Sequence, residues 1–443
     1  MLYVMQRGQQ VALFLGLAGW ILVAACEQQT PVAVIPDPCR HCRDAALDPP
    51  AADGGLVDAA VDGSVAADAG MPSEEPRLAH NIIVFMGDGM GPRQLATGRF
   101  TRGRLRLDAL AGPALANTDS LSTLRLPDAP ATDSAAAATV IATGMRVEND
   151  VLSLGPDGEP LESVLELCQR AGKSTGLVTT SYFFDASPSA FAVHQPSRSL
   201  YREIATEMLG VTRPDVVMGA GSWLLDDATT GIAQLATDSG YQVIRDLPAL
   251  WAWNPAAGGR LLGLFETDFL PLTAASELFT MTPELERGPS APDPTLATMT
   301  RRALERLGQD EDGFFLFAED EIFDQISHRG PAEVAWANRA LPQQVAALDA
   351  AVRVALDWVL DHSSFDETLI VVLADHETGG YQFDDAIGPI SGDYTAFTDD
   401  GVLRVGYHTR TPIEVYALGP GSEAVRHITQ HADTYRLLTG RLH

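Results

Sequence analysis

Short runs of consecutive apolar residues alternate along this chain with stretches whose apolar positions recur every three or four residues. The runs at 81–86, 175–179, 215–218, 313–318, 368–374 and 412–418 read as buried strands. The stretches at 135–143, 161–171, 201–209, 296–307 and 345–360 read as helices. In the last of these, Val345, Leu348, Val352, Leu356 and Val359 follow the spacing of one helix face. Buried strands alternating with amphipathic helices predict an α/β fold, a mainly parallel central sheet covered by helices on both faces. A loop-rich segment, 221–292, reads as an insertion. Ligands of such sheets gather beyond the carboxyl ends of the strands. Asp88, Glu319 and the pair Asp375-His376 each fall at such an end.

The pattern is different before residue 77. A single Arg7 precedes an apolar run, 11–25, that ends in small residues, which is the form of a signal peptide over 1–25. Leu22-Val23-Ala24-Ala25-Cys26 resembles a bacterial lipoprotein processing site, with Cys26 as the lipidated first residue. Ordinary cleavage near Ala25 is the plainer alternative. Residues 26–76 carry no sustained hydrophobic period, and 44–70 contain no Lys or Arg, so this part reads as an acidic, flexible linker. The expectation is an exported protein of the cell envelope or periplasm, lipid-anchored to a membrane, with its catalytic domain at 77–443. Cys39 and Cys42 flank Arg40-His41; a disulfide is their simplest account, and with only Cys168 remaining they do not make a zinc ribbon.

Composition limits the partners. With 443 residues and 46% hydrophobic content the chain can bury a large core. Fifty-nine acidic against 30 basic residues give a formal charge of −29, which argues against a nucleic-acid-binding surface. Bound divalent cations can reverse the field within one site, so phosphate binding is not excluded.

Four segments carry candidate chemistry. The strand ending in Ala374-Asp375-His376-Glu377-Thr378-Gly379-Gly380 offers a carboxylate and an imidazole to one metal, or a surface loop with a capping Asp. Phe317-Ala318-Glu319 leads to Asp324 and His328, four apart and so on one face of a helix; this is either a metal clamp or a solvated ion pair. Gly87-Asp88-Gly89 turns sharply at a strand end, and Pro92 in place of a third glycine argues against a dinucleotide fingerprint. In Thr132-Asp133-Ser134-Ala135, Ser134 opens a run of small helix formers. There either residue of the Asp-Ser pair caps the helix, or the Ser hydroxyl meets a phosphate at the positive helix end.

Together, and in their order along the chain, Gly87-Asp88-Gly89, then Asp133-Ser134-Ala135-Ala136, then Glu319 with Asp324 and His328, then Asp375 to Gly380, these motifs and a late His408-Thr409 resemble the alkaline phosphatase family over most of 80–443. The resemblance implies a phosphomonoesterase with two zinc ions and one magnesium ion. Ser134 matches the nucleophile that forms a phosphoserine. Asp324, His328 and His408 match the ligands of the first zinc, and Asp88, Asp375 and His376 those of the second. Magnesium falls to Asp88, Glu319 and the hydroxyl of Ser187, with Asp185 acting through water. Arg198 matches the phosphate-gripping arginine. The chain departs from the family pattern at Gln325, where some members have Lys, and at Arg410, where Gly is common; His431 and His427 are rivals to His408. The resemblance also implies a homodimer. Diesterase or sulfatase chemistry on the same fold is the nearest alternative, and a non-catalytic lipoprotein that binds phosphate or metal is a more distant one.

Overall fold

A computed structural model describes residues 76–125, 130–266, 294–328, 334–380 and 407–443, and the backbone of 383–384, 388–389, 396–397 and 403–404. The expected signal peptide and linker, Cys26, Cys39, Cys42 and positions 267–292 of the expected insertion lie outside the described residues.

The core is a nine-stranded sheet. Its strands are β1 (Asn81–Gly87), β2 (Ala111–Ala116), β3 (Ser174–Tyr182), β4 (Val216–Ala220), β5 (Tyr241–Ile244), β6 (Arg260–Leu264), β7 (Phe314–Asp320), β8 (Thr368–Leu373) and β9 (Ile413–Leu418). They lie in the order β2-β9-β8-β1-β7-β3-β4-β6-β5. Strand β9 runs antiparallel to β8 and β2, and every other neighbouring pair is parallel. The central strands β1, β7 and β8 are buried at every position, as expected when both faces of a parallel sheet are covered.

The strand pleat identifies the two covering layers, because neighbouring side chains on one strand point to opposite faces. Asp320 meets Gln344 of the long helix Val334–His362. Glu319, one residue earlier, meets Thr179 near the end of β3, on the face where the helix Ala186–Ala190 packs. Helices Leu296–Leu307 and Pro92–Arg102 pack against the long helix on the first face. On the second, Ser134–Thr143 packs between Ala186–Ala190 and His431–Leu438.

Two expectations are corrected. Part of the 221–292 segment is integral to the sheet, since β5 and β6 extend its edge. These strands are four and five residues long, and β6 is interrupted by Gly263, so neither shows a legible apolar period. The helix expected to begin at 345 begins at Val334 and carries Pro342 inside it. A proline more often ends a helix than continues it, which is why the sequence alone points to a later start.

Candidate active site

Register brings the site together. Met86 on β1 pairs with Glu319 on β7 and with Leu373 on β8, so Asp88, Glu319 and Asp375 leave three adjacent strands at one level. Gly89, at a φ of +72°, makes the turn, and its N–H donates to Asp375 Oδ1 at 3.0 Å. A Cβ there would meet Asp324 Oδ1 at 2.9 Å, so only glycine fits the corner.

Ser134 is the first residue of its helix, and Asp133 is the cap: its Oδ1 accepts from Ala136 N at 3.0 Å. This resolves the ambiguity in the sequence. The Ser134 hydroxyl is released from capping, and although only 4% exposed it lies 3.3 Å from His376 Nε2.

The histidine tautomers follow from their partners. Thr378 Oγ1 donates to Asp324, which leaves it to accept from His376 Nδ1 at 3.2 Å. A proton on Nδ1 leaves a lone pair on Nε2. That nitrogen faces Asp375 Oδ2 at 3.0 Å and Asp88 Oδ1 at 3.7 Å, two buried oxygens with no hydrogen-bond partner. Nitrogen and oxygen donor atoms thus converge on one point, an arrangement that a cation stabilises.

His408 repeats the pattern. Its strand residues pair with Glu377–Thr378 as a short antiparallel ribbon, His408 opposite Thr378. Its Nδ1 donates to Thr132 O at 2.9 Å, which leaves Nε2 open toward His328 Nε2 at 3.1 Å and Asp324 Oδ1 at 3.6 Å. His328 Nε2 lies 3.0 Å from Asp324 Oδ2. The rival histidines sit elsewhere. His431 holds Asp375 O from behind, with Nε2 at 2.6 Å, and His427 is exposed on the 3-10 helix Ser422–His427.

The carboxylates are under strain as anions. Burial and the neighbouring Asp375 hold Asp88 well above its ordinary pKa. Burial raises Glu319 to about 8 and Asp375 to about 7. Burial also works to raise Asp324, but His328 and His408 overcome it and hold this carboxyl low. Burial lowers His376 and His408, each pushed further by neighbouring histidines, so both remain neutral, the form that binds metal. Ligand atoms from Asp324-His376-His408, Asp88-Asp375-His376 and Asp88-Glu319-Glu321 each fall within 4.8 Å of one another.

Arg198 lies at the rim, with Nη2 3.0 Å from Asp185 Oδ1 and Nη1 3.5 Å from Asp133 Oδ2. Asp185 also accepts from Ser181 Oγ at 2.5 Å and from Ala186 N at 2.7 Å, so the structure places it with Arg198. Ser187, two residues on, is buried, and its Oγ has no hydrogen-bond partner. The candidate catalytic and metal-binding residues Ser134, Arg198, Asp88, Asp185, Ser187, Glu319, Asp324, His328, Asp375, His376 and His408 therefore gather at this end of the sheet. Glu321 was not among them. Its signal was the run Glu319-Asp320-Glu321 after a buried strand, where alternation returns the third residue to the face of the first.

Residues 79–402 match the sequence profile of the alkaline phosphatase family. The chain is 30% identical over 425 residues to the streptomycin-6-phosphate phosphatase of Streptomyces griseus, covering 83% of this chain and 91% of that one. It is 28% identical over 427 residues to the alkaline phosphatase of Escherichia coli strain K12, covering 84% and 87%. In fold it is similar to the alkaline phosphatase of Thermus thermophilus, with a TM-score of 0.65 at 22% identity, covering 83% and 92%. It is also similar to that of the Antarctic bacterium TAB5, with a TM-score of 0.64 at 23% identity, covering 83% and 99%. The profile spans most of the folded part and the Streptomyces relative matches along nearly its whole length: the chain belongs to the alkaline phosphatase family and is a phosphatase.

Proposed function

We propose that this phosphatase hydrolyses phosphate monoesters by double displacement through a phosphoserine at Ser134, in a site that takes two zinc ions and one magnesium ion. The observation that carries the reading is the Ser134 hydroxyl, buried, freed from capping by Asp133, and directed at His376 Nε2. Its oxygen, releasing its proton to solvent, attacks phosphorus, the bond to the leaving alcohol oxygen breaks, and that oxygen takes a proton from water. A water oxygen then attacks the phosphoserine, releasing inorganic phosphate and restoring Ser134. Arg198, held by Asp133 and Asp185, presents its guanidinium to two phosphate oxygens. The start of the Ser134 helix adds its dipole.

Divalent ions held by Asp324-His328-His408, by Asp88-Asp375-His376 and by Asp88-Glu319-Ser187 would supply Lewis-acid stabilisation of the entering and departing oxygens and lower the pKa of hydroxyl and water. Support for a magnesium at the third set comes from a variant of the TAB5 enzyme described with Mg bound in its M3 site. Support for monoesters comes from the Streptomyces relative, named for its action on streptomycin-6-phosphate.

The test compares a phosphate monoester, a diester and a sulfate ester on the metal-loaded protein, with Ser134→Ala beside it. Monoester preference, with turnover abolished in Ser134→Ala and zinc content retained, is expected. A diester or sulfate preference, or turnover surviving in the variant, overturns the reading.

We also propose export and lipid attachment at Cys26, on the strength of the apolar run and small residues that precede it. Cys26→Ser should move the activity from the membrane fraction to the soluble fraction; an unchanged distribution refutes the anchor.

A further inference from the structure

Glu321 is 7% exposed, buried just beyond the end of β7. Its ligand atom lies within 4.8 Å of those of Asp88 and Glu319. Two independent features mark the same place. Asp88 Oδ1 is buried with no hydrogen-bond partner, and Ser187 Oγ, contributed by a different element, the helix Ala186–Ala190, is likewise buried and faces the Glu319 carboxyl. We infer that Glu321 is a direct ligand of the third, magnesium-type cation, completing an all-oxygen set with Asp88, Glu319 and the Ser187 hydroxyl. This rests on the metal-dependent reading above and adds to it a residue that the resemblance does not supply.

The local chemistry agrees. Three carboxylates facing one another out of water repel strongly unless a cation sits between them. The guanidinium of Arg198 is already engaged by Asp133 and Asp185. Glu321 is oriented from both sides: its N–H donates to Thr180 Oγ1 at 3.0 Å, and Gln325 Nε2 donates to its Oε1 at 2.9 Å. Gln325 stands where some family members have Lys. An ammonium would neutralise Glu321, whereas the amide orients it and leaves its charge available. A set made only of carboxylate and hydroxyl oxygens selects hard cations, Mg²⁺ or Mn²⁺, over zinc.

The test uses the full-length, zinc-loaded protein and Glu321→Gln, with Glu321→Asp as a fold-preserving companion. Mg²⁺ and Mn²⁺ binding are measured by equilibrium dialysis, and metal-coordinated water by Mn²⁺ proton relaxation. Glu321→Gln is expected to weaken Mg²⁺ binding by at least about tenfold, the lower range for disrupting a partner of a metal site. It should also add an exchangeable water to bound Mn²⁺ while zinc content and melting temperature stay as in the parent. Glu321→Asp should retain part of the affinity. Unchanged Mg²⁺ affinity and water count in Glu321→Gln would show that Glu321 merely shares a proton with Asp88, and would overturn the inference. Loss of zinc together with Mg²⁺ would overturn it as well. A parent protein that takes up no zinc would instead sink the metal-dependent reading itself.

Discussion

Asp133 Oδ2 lies 3.5 Å from Arg198 Nη1 while Asp133 Oδ1 caps the helix that Ser134 begins. One carboxylate thus positions both the start of the Ser134 helix and the Arg198 guanidinium. The two duties are separable. Asp133→Asn keeps an oxygen for the cap and should melt close to the parent, yet raise KM because Arg198 loses an anchor. Asp133→Ala should lose both, with about 1 kcal/mol of stability gone with the cap. Equal melting temperatures for the two variants, by calorimetry, would disprove the division.

Arg198→Ala should lower kcat/KM about a hundredfold or more, the scale on which preorganised donors to a reacting oxyanion act. Arg198→Lys should recover only part of that loss, since an ammonium cannot reproduce a two-pronged grip. Steady-state kinetics on p-nitrophenyl phosphate decide it, and full recovery by Lys would count against bidentate binding.

Chelation should destabilise the protein in a pH-dependent way. Burial lifts Asp375 to about 7 and Glu319 to about 8 when they face one another without a cation. An acid whose folded pKa lies above its unfolded value contributes stability only while protonated, and that contribution is lost as pH rises through the folded pKa. The depressed histidines work in the opposite direction, but only below their ordinary value of about 6.5. Between about pH 6.5 and 8, therefore, the melting temperature of the stripped protein should fall with rising pH, while that of the zinc- and magnesium-loaded protein should not. Parallel profiles for the two forms would contradict this.

Gly89→Ala places a methyl group 2.9 Å from Asp324 Oδ1 on a backbone held at a φ of +72°. The strained backbone should cost roughly 1 to 2 kcal/mol, and the displaced Asp324 should weaken zinc retention. Metal analysis after gel filtration, with a thermal melt alongside, tests both effects.

The sheet centre was legible because β1, β7 and β8 are unbroken apolar runs, each ending abruptly in a polar residue. Strand β2 escaped because it lies at the sheet edge, with Ala111, Gly112 and Pro113 exposed, so no apolar run marks it. His408 was readable only by resemblance. Its place depends on the ribbon with Thr378 and, above all, on a carbonyl from Thr132, 276 residues earlier. Glu321 was hidden for another reason: in sequence an acidic tripeptide looks solvated, and only the end of β7 shows that all three residues are buried.

The antiparallel strand β9 has a consequence for the chain as it is made. His408 arrives immediately before it, and His431, which holds Asp375 from behind, arrives after it, whereas Asp88 emerges among the first residues of the folded part. A chain being synthesised therefore carries Ser134 and Arg198 long before it can enclose the space between Asp324 and His408. The contacts that finish the site span most of the sequence, the slowest kind to form. The geometry that unites Asp324 with His408 therefore forms only once the segment around β9 has settled against the sheet.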